Sequence, residues 1–153
     1  MISVSPDTIN ASTSMRDFEA QIRERGDVGA VVSFAGLVRD HASSGQVRAL
    51  TLQAYAPMTQ NGIAETVEKA RRRWPISNVM IKHRIGTMAP GETIVFVATA
   101  SAHRRAAFEA ADFLMDYLKT EAIFWKQETT QHGAVWIEPR ADDYADAARW
   151  RER

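Results

Sequence analysis

The chain has 153 residues, 45% of them hydrophobic, which predicts one globular domain over residues 1–153 with a core of its own. Basic and acidic residues balance at 19 each, which argues against a nucleic-acid or membrane surface and makes any electrostatic function local. The sequence has no cysteine and no recognisable transmembrane segment or leader, so we expect neither disulfides nor thiolate metal sites, and a cytoplasmic location.

The N-terminal part of the chain is predicted to mix strands and a helix. Residues 1–10 are expected to form a short strand and a polar turn, and Ser14 is placed to cap a helix that ends at Gly26. The β-branched and small residues of 29–38 predict a buried strand. The alternating pattern of 48–55 predicts a partner strand.

The middle of the chain is predicted to form two helices separated by two strands. Apolar residues recur at helical spacing over 59–74, and Pro75 ends that helix. Strands are expected over 79–85 and 93–100, and Ser101 is a natural N-cap for the long helix that follows. The buried stripe of this second helix is expected to consist of Ala107, Ala111, Leu114 and Leu118.

The C-terminal part is predicted to form a hairpin and a last helix. A strand is expected over 123–128, Gly133 turns the chain into a second strand over 134–137, and residues 142–153 form a short helix. That helix is expected to dock through three residues, Tyr144, Ala148 and Trp150. Because strands and helices mix with antiparallel hairpins, the predicted fold class is α+β.

The start of the second long helix is a candidate anion site. Unpaired N–H groups and the positive end of the helix dipole favour an anion at this position. His103 can add a hydrogen bond there, and Arg104 can add a bidentate contact. Position alone leaves an alternative open, since unliganded helix starts with solvated side chains are common.

Lysine is rare in this chain, and two of its four lysines, Lys119 and Lys126, bracket a short apolar segment. At Lys119, near a helix C-terminus, a cation also suits the helix dipole. Strand alternation places Lys126 on one face with Phe124 and Glu128. Desolvation should lower its pKa, and Glu128 should oppose that shift. A desolvated lysine can act as a nucleophile or acid–base catalyst, whereas the alternative is a salt bridge on an edge strand.

Other polar positions carry weaker signals. Arg39 ends the strand of 29–38 beside a polar loop, which is a frequent place for a binding group but also the point where a strand leaves the core. His41 and His83 are isolated in sequence, so we expect no metal site. The arginines at 71–73 suit the C-terminal dipole of their helix, so we expect no nucleic-acid contact there.

Five segments together resemble the large, catalytic subunit of molybdopterin synthase, over nearly the full length of the chain. They are GAVVSFAGLVRDH (29–41), LTLQAYAPM (50–58), HRIGTMAPGE (83–92), SAHRRAAFEAADFLMDYLKTEAIFWKQE (101–128) and AARW (147–150). The fourth segment is the most specific, because several spaced features agree in it at once. The resemblance implies an α/β hammerhead fold with an additional antiparallel β subdomain.

The same resemblance implies a sulfurtransferase. Enzymes of this family convert precursor Z (cyclic pyranopterin monophosphate) into the dithiolene molybdopterin. The sulfur arrives as a thiocarboxylate on the C-terminal glycine of a small ubiquitin-like subunit. The implied assembly is a homodimer of this chain with one small subunit at each end, a heterotetramer, with no cofactor and no nucleic-acid or membrane partner. The absence of cysteine agrees with this scheme, because sulfur must then arrive on another molecule.

The resemblance also implies which residues form the site, with Lys119 and Lys126 matching the catalytic lysines of the family. The implied substrate-binding positions are both lysines together with Leu37, Val38, Arg39, His103, Arg104, Gln127, Glu128 and Arg140. Leu37 stands where many members have lysine, so one cationic contact is expected to be missing. The alternative is a noncatalytic module that binds a phosphorylated metabolite or a ubiquitin-like tail, but only the enzyme needs both lysines.

Overall fold

The computed structural model describes residues 1–151, apart from the side chain of Ala56. Within this range the chain forms nine strands and four helices, a mixed architecture that confirms the predicted α+β class. The strands are β1 (Ile2–Ser5), β2 (Ala30–Leu37), β3 (His41–Ala42), β4 (Gly45–Ala54), β5 (Ile76–Arg84), β6 (Gly86–Met88), β7 (Thr93–Ser101), β8 (Phe124–Thr130) and β9 (Gly133–Ile137). The helices are α1 (Ala11–Ile22), α2 (Ala56–Arg73), α3 (Arg104–Thr120) and α4 (Ala141–Ala148). Among these helices, none is long and apolar enough to cross a membrane.

The first sheet of the described chain has the strand order β1-β5-β7-β2, with β1 parallel to β5 and the other pairs antiparallel. Successive residues of β7 point to opposite faces, so this strand contributes to two cores. Val95 and Val97 pack with α2 and α3, whereas Phe96, Ala98 and Ala100 pack with α1. The strand is therefore buried on both faces and supports α3 on one of them.

The second sheet has the order β3-β4-β8-β9, with β6 also paired to β4, and all its pairs are antiparallel. It covers a smaller core formed by Val38, Val47, Leu50, Leu52 and Met88. The rings of His83 and Phe124 stack with their centroids 3.9 Å apart and their planes inclined by 19°. This stack joins β5 of the first sheet to β8 of the second.

The connection from α3 to β8 is short and tightly bonded. Helix α3 buries the predicted stripe of Ala107, Ala111, Leu114 and Leu118. It ends where the N–H groups of Glu121 and Ala122 both donate to the carbonyl of Tyr117. The hydroxyl of Thr59 in α2 then donates to the carbonyl of Ile123 at 2.7 Å. The chain consequently enters β8 directly from the end of α3.

The predicted cap of the first helix is wrong. Asn10 caps α1, because its side-chain oxygen accepts the Thr13 N–H at 2.9 Å. Ser14 lies inside the helix, is buried, and accepts a hydrogen bond from the Lys82 ammonium at 3.1 Å. Both residues are good caps by type, and the packing of α1 decided between them.

The strand predicted over 29–38 is present as β2, but the prediction that it is buried is wrong. In the described sheet β2 lies at the edge, and Phe34 and Leu37 are 43% and 54% exposed. The strand predicted as a partner over 48–55 became β4, which pairs with β3, β6 and β8 rather than with β2. An apolar run shows that a strand forms but not which strands flank it.

The docking of the C-terminal helix is confirmed for one residue and wrong for two. Trp150 is buried, with its ring 5.5 Å from Trp74 and 5.7 Å from Phe113. Tyr144 and Ala148 are exposed, since α4 is short and turns these side chains to solvent. The last part of the predicted helix, residues 152–153, lies outside the described residues.

The burial of His83 should make the free energy of unfolding depend on pH. Burial lowers the pKa of His83 from 6.5 to about 4, opposed in part by the hydrogen bond that its Nδ1–H donates to the Arg84 carbonyl. As pH falls the unfolded chain takes up this proton first. The contribution of His83 to stability is therefore complete above pH 6.5, falls by about 3 kcal/mol as pH drops from 6.5 to about 4, and stays constant below that.

His83→Gln should remove this loss, whereas His132→Gln, at an exposed position, should retain it. Denaturant unfolding of the parent and both variants across this pH range measures the difference. The same acid dependence in all three proteins would contradict the assignment.

Candidate active site

Lys126 lies in the interior of the second sheet, where its cross-strand neighbours are apolar. It pairs with Leu52 of β4 on one side and with Ile137 of β9 on the other. Cross-strand partners share a face, so the lysine points to the same side as the buried Leu52 and is itself half-buried. Because β8 is flanked on both sides, the alternative of a salt bridge on an edge strand does not apply.

The pKa of Lys126 is lowered, as predicted. Burial is the main cause, and the positive charge of Lys119 adds to it. The charge of Glu128 opposes the shift, but this carboxylate accepts a hydrogen bond from the Ser44 hydroxyl at 3.3 Å, and within residues 1–151 Lys126 forms no ion pair. A larger fraction of Lys126 is therefore neutral amine than in an exposed lysine at the same pH.

Lys119 lies in the last turn of α3 and contacts α4 through Asp143. The Lys119 side chain is 52% exposed, and its Nζ is 3.9 Å from Oδ1 of Asp143, which is only 13% exposed. The Nη2 of Arg140 is 3.7 Å from the same oxygen, and the Arg140 backbone N–H donates to Oδ2 at 2.9 Å. Burial opposes ionisation of Asp143, but this hydrogen bond and the charge of Lys119 outweigh it and lower the pKa of the carboxyl. Asp143 is thus a carboxylate between two cations.

Sequence reasoning missed Asp143, although a local signal was present. The residue lies in the first turn of α4, three positions after the N-cap residue Arg140, where acidic side chains are favoured. That signal predicts a helix start. It does not predict a contact with Lys119 on another helix, which arises only from tertiary packing.

Arg39 brings another positive charge to Lys126. It adds to burial and to Lys119 in lowering the pKa of that lysine. Arg39 is exposed and directly follows Val38, which is buried in the smaller core. The N–H of Val38 donates to the carbonyl of Glu92 at 2.9 Å, and its carbonyl accepts the N–H of Gly91 at 2.8 Å. Val38 therefore anchors the start of the Arg39 loop, with both its backbone polar groups already paired.

Two other predicted binding positions differ in orientation. Leu37 is exposed at the end of β2. Gln127 alternates with Lys126 along β8 and pairs with Thr51 and Trp136, so its side chain lies on the opposite face of the sheet from Lys126. Within one chain the Gln127 side chain is therefore turned away from the lysine.

His103 and Arg104 lie at the far end of α3 from Lys119. At a rise of about 1.5 Å per residue, the backbones of Arg104 and Lys119 are about 22 Å apart. The predicted cap at this end is wrong: Ser101 ends β7 and is fully buried, its hydroxyl donating to the Pro75 carbonyl at 2.8 Å, and His103 is the N-cap residue. Both His103 and Arg104 are exposed. One chain thus separates two parts of the predicted site.

The charges around Lys126 favour an anionic ligand. The group contains four cations, Arg39, Lys119, Lys126 and Arg140, and two carboxylates, Glu128 and Asp143. Among residues 1–151, no group of three or more histidine, aspartate or glutamate side chains is placed to hold a metal ion. The fold and this site define an α+β protein that presents two lysines, one half-buried and one exposed, to an anion.

Comparison with known proteins identifies the family. The family model described as MoaE protein matches residues 8–121. Over 129 residues the chain is 52% identical to the molybdopterin synthase catalytic subunit of Escherichia coli (strain K12), covering 84% of this chain and 86% of that one. Over 126 residues it is 54% identical to the protein of the same name from Caulobacter vibrioides, covering 82% and 83%. The chain therefore belongs to the MoaE protein family.

Solved structures agree with this assignment. The MoaE protein from Burkholderia ambifaria superposes with a TM-score of 0.78 at 38% identity, covering 98% of this chain and 97% of that one. Molybdopterin synthase from Staphylococcus aureus gives a TM-score of 0.79 at 27% identity, covering 89% and 96%. The family match to residues 8–121 contains Lys119 but ends before Lys126, Arg140 and Asp143.

Replacing Lys126 by methionine tests its desolvation. Methionine has a similar length and no charge, so Lys126→Met should raise the free energy of unfolding at neutral pH by about 0.5–1 kcal/mol. The folded-state pKa of Lys126 is lowered, so the difference should shrink as pH rises towards the ordinary value of 10.5. Lys69→Met, at an exposed lysine of α2, is the matched control and should change stability little. Denaturant unfolding that shows Lys126→Met less stable than the parent would refute this account.

Proposed function

We propose that this chain is the catalytic subunit of a molybdopterin synthase and acts in the cytoplasm. It transfers sulfur from the thiocarboxylated C-terminal glycine of a small ubiquitin-like partner to precursor Z, forming the dithiolene of molybdopterin. Family membership and about half-identical relatives of that name support the role in molybdopterin biosynthesis. The structural observation that best supports the proposal is the environment of Lys126 beside Lys119. Lys126 is half-buried, its pKa is lowered, and it forms no ion pair within the described residues.

The chemistry proposed for the lysines follows from their different environments. Each transfer forms a carbon–sulfur bond to precursor Z and displaces an oxygen from that carbon. Water then cleaves the bond between this sulfur and the partner's carbonyl carbon, so the partner leaves as a carboxylate and the sulfur stays on the substrate. Lys119, which is exposed and reachable, attracts the anionic tail of the partner. Lys126, with its larger neutral fraction, accepts a proton from the attacking water. A dithiolene contains two sulfur atoms, so two thiocarboxylates are consumed for each product.

The proposed architecture is an α/β hammerhead with an additional antiparallel β subdomain. The first sheet with α1, α2 and α3 corresponds to the α/β part, and the antiparallel sheet of β3, β4, β6, β8 and β9 corresponds to the added part. The proposed assembly is a homodimer of this chain that binds one small subunit at each end. A solved structure that shares the fold at 15% identity is titled a complex of subunits 1 and 2 of molybdopterin-converting factor from Helicobacter pylori.

A homodimer also explains how His103 and Arg104 contribute to substrate binding. In one chain about 22 Å of α3 separates the backbones of Arg104 and Lys119, so the two residues lie at opposite ends of the helix. We therefore propose that His103 and Arg104 of one copy hold the substrate phosphate at the lysines of the other copy. The copy that provides the lysines also provides the remaining substrate contacts. These come from the side chains of Arg39, Glu128 and Arg140, from the chain at Leu37 and Val38, and from the backbone of Gln127.

One assay tests the proposed function directly. The protein is mixed with a thiocarboxylated small subunit and precursor Z, and molybdopterin is measured. Formation of molybdopterin that depends on all three components is the expected result. Binding of both ligands without product would instead support the noncatalytic module that binds a phosphorylated metabolite or a ubiquitin-like tail.

Lys119→Ala and Lys126→Ala should each reduce product formation by about 100-fold or more while the fold remains intact. We expect the fold to remain intact because the two lysines supply charge and proton transfer and are not part of the hydrophobic core. Lys126→Arg should rescue poorly, because guanidinium keeps its proton and cannot accept one from water. Lys119→Arg should also rescue poorly, because guanidinium is larger and planar and presents its charge in a different place. Product formation and thermal unfolding are measured together. Two single alanine variants that turn over like the parent would show that the catalytic assignment is wrong.

Arg39→Ala and Arg104→Ala should weaken substrate binding more than they slow the chemical step, because each removes a charge-assisted contact of roughly 1.5–3 kcal/mol. The dimer proposal adds a sharper test. When equal amounts of Arg104→Ala and Lys126→Ala are allowed to exchange subunits, half of the dimers are mixed and one of their two sites is intact. Activity should then return to about a quarter of the parent's.

The matched control is the mixture of Lys119→Ala with Lys126→Ala. Both residues belong to the same half-site, so a mixed dimer of these variants contains no intact site and should stay inactive. Equal recovery in the two mixtures, or none in either, would contradict the shared site.

A further inference from the structure

We propose that Asp143 is a positioning residue of the sulfur-transfer site: it holds Lys119 beside Lys126, and α4 is the element that keeps Asp143 there. The inference rests on the proposed function and deepens it. It concerns a segment that the family match to residues 8–121 does not include. Asp143 was also not among the residues predicted from the sequence.

Asp143 restrains the Lys119 side chain mechanically. Lys119 has a long, half-exposed side chain near the end of a helix. Holding it in one orientation costs rotamer entropy, so a stabilising contact is needed. Asp143 is short and largely buried, and its other oxygen accepts the backbone N–H of Arg140. A rigid carboxylate whose Oδ1 lies 3.9 Å from Nζ restricts where the ammonium group can go.

Asp143 also balances the positive charges around Lys119. The charged groups that act on Lys126 come from several elements: Lys119 from α3, Glu128 from β8, Arg39 from the loop after β2, and Asp143 from α4. Glu128 is hydrogen-bonded to Ser44, so Asp143 is the carboxylate that contacts a lysine in the described site. Without it, repulsion from Lys126 and Arg39 would drive the Lys119 ammonium outwards into water, where its charge is better solvated.

Helix α4 is held in place by contacts away from the two lysines. Just beyond the helix, the ring of Trp150 packs edge-on against Trp74 and Phe113, and its Nε1–H donates to Asp116 of α3 at 2.6 Å. The neighbouring Arg149 also donates to Asp116, at 2.9 Å. These contacts fix the C-terminal end of α4 to α3, one turn before Lys119. The position of Asp143 at the other end of α4 is therefore set by a separate, non-catalytic anchor.

The first experiment compares Asp143→Asn with Asp142→Asn in the complete complex. Asparagine still offers an oxygen to the Arg140 N–H, so the start of α4 is kept while the charge is lost. Asp142 lies in the same helical turn as Asp143, is exposed, and forms no ion pair in the described part of the chain. Asp142→Asn therefore removes an equal charge from the first turn of α4 without breaking a contact to a lysine. Thermal unfolding of both variants verifies the fold.

Asp143→Asn should lower kcat about five-fold, the change that corresponds to about 1 kcal/mol at 25 °C. The acidic limb of its pH–rate profile, where the rate rises as Lys126 becomes neutral, should move to lower pH, because Lys126 loses a carboxylate that favours its protonated form. Asp142→Asn should match the parent in both. Equal kcat and equal profiles in all three proteins would overturn the proposal, and so would faster turnover of Asp143→Asn, which would mean that α4 obstructs the site.

A second readout does not depend on sulfur transfer. Brief acetic anhydride treatment followed by peptide mass spectrometry gives the labelling rate of each lysine amine. Lys119 should be labelled faster in Asp143→Asn than in the parent or in Asp142→Asn, with the exposed Lys69 as the internal reference. Unchanged labelling of Lys119 would overturn the positioning role. A parent protein that forms no molybdopterin would overturn the proposed function instead, while the labelling result would still show whether Asp143 holds Lys119.

Discussion

The antiparallel pairing of β4 with β8 is the constraint on which the candidate site depends. The register places Lys126 opposite Leu52 and Glu128 opposite Leu50, so two ionisable side chains face a small apolar core. A shift of one residue would turn Lys126 to the outer face of the sheet, since side chains alternate with a period of two. The buried leucines of β4 specify the register. The desolvation of Lys126, and with it the lowered pKa, is thus a consequence of how two strands pair.

Around that lysine the fold collects charges from segments far apart in the chain. Arg39 follows the edge strand β2, Lys119 ends α3, and Asp143 begins α4. Like charges held this closely repel one another, and an anion bound among them relieves that repulsion. The same arrangement that lowers the pKa of Lys126 therefore favours binding of an anionic tail or phosphate. In the proposed site, anion binding and the lowered pKa of Lys126 would therefore have a common electrostatic origin.

The length of α3 divides the predicted site residues into two groups. The sequence predicts this helix from its stripe of alanine and leucine residues, which packs on the first sheet. Its rise nevertheless places Arg104 about 22 Å from Lys119, so the two ends serve different places on the surface. In the proposed dimer each site uses one end of α3 from either copy, which would couple function to assembly. The anchoring of α4 at Trp150 adds a second long-range dependence, because Lys119 is restrained from outside its own helix.

The sequence by itself determined what depends on neighbours along the chain. Helical spacing predicted the buried stripe of α3, alternation placed Lys126 and Glu128 on one face, and the scarcity of lysine singled out Lys119 and Lys126. Only the tertiary structure decided what depends on distant segments. It made β2 an exposed edge and chose Asn10 over Ser14 as a cap, separated Arg104 from Lys119, and placed Asp143 against Lys119. Periodicity reports which side of an element is buried, whereas the partner that covers it is set by packing between segments remote in sequence.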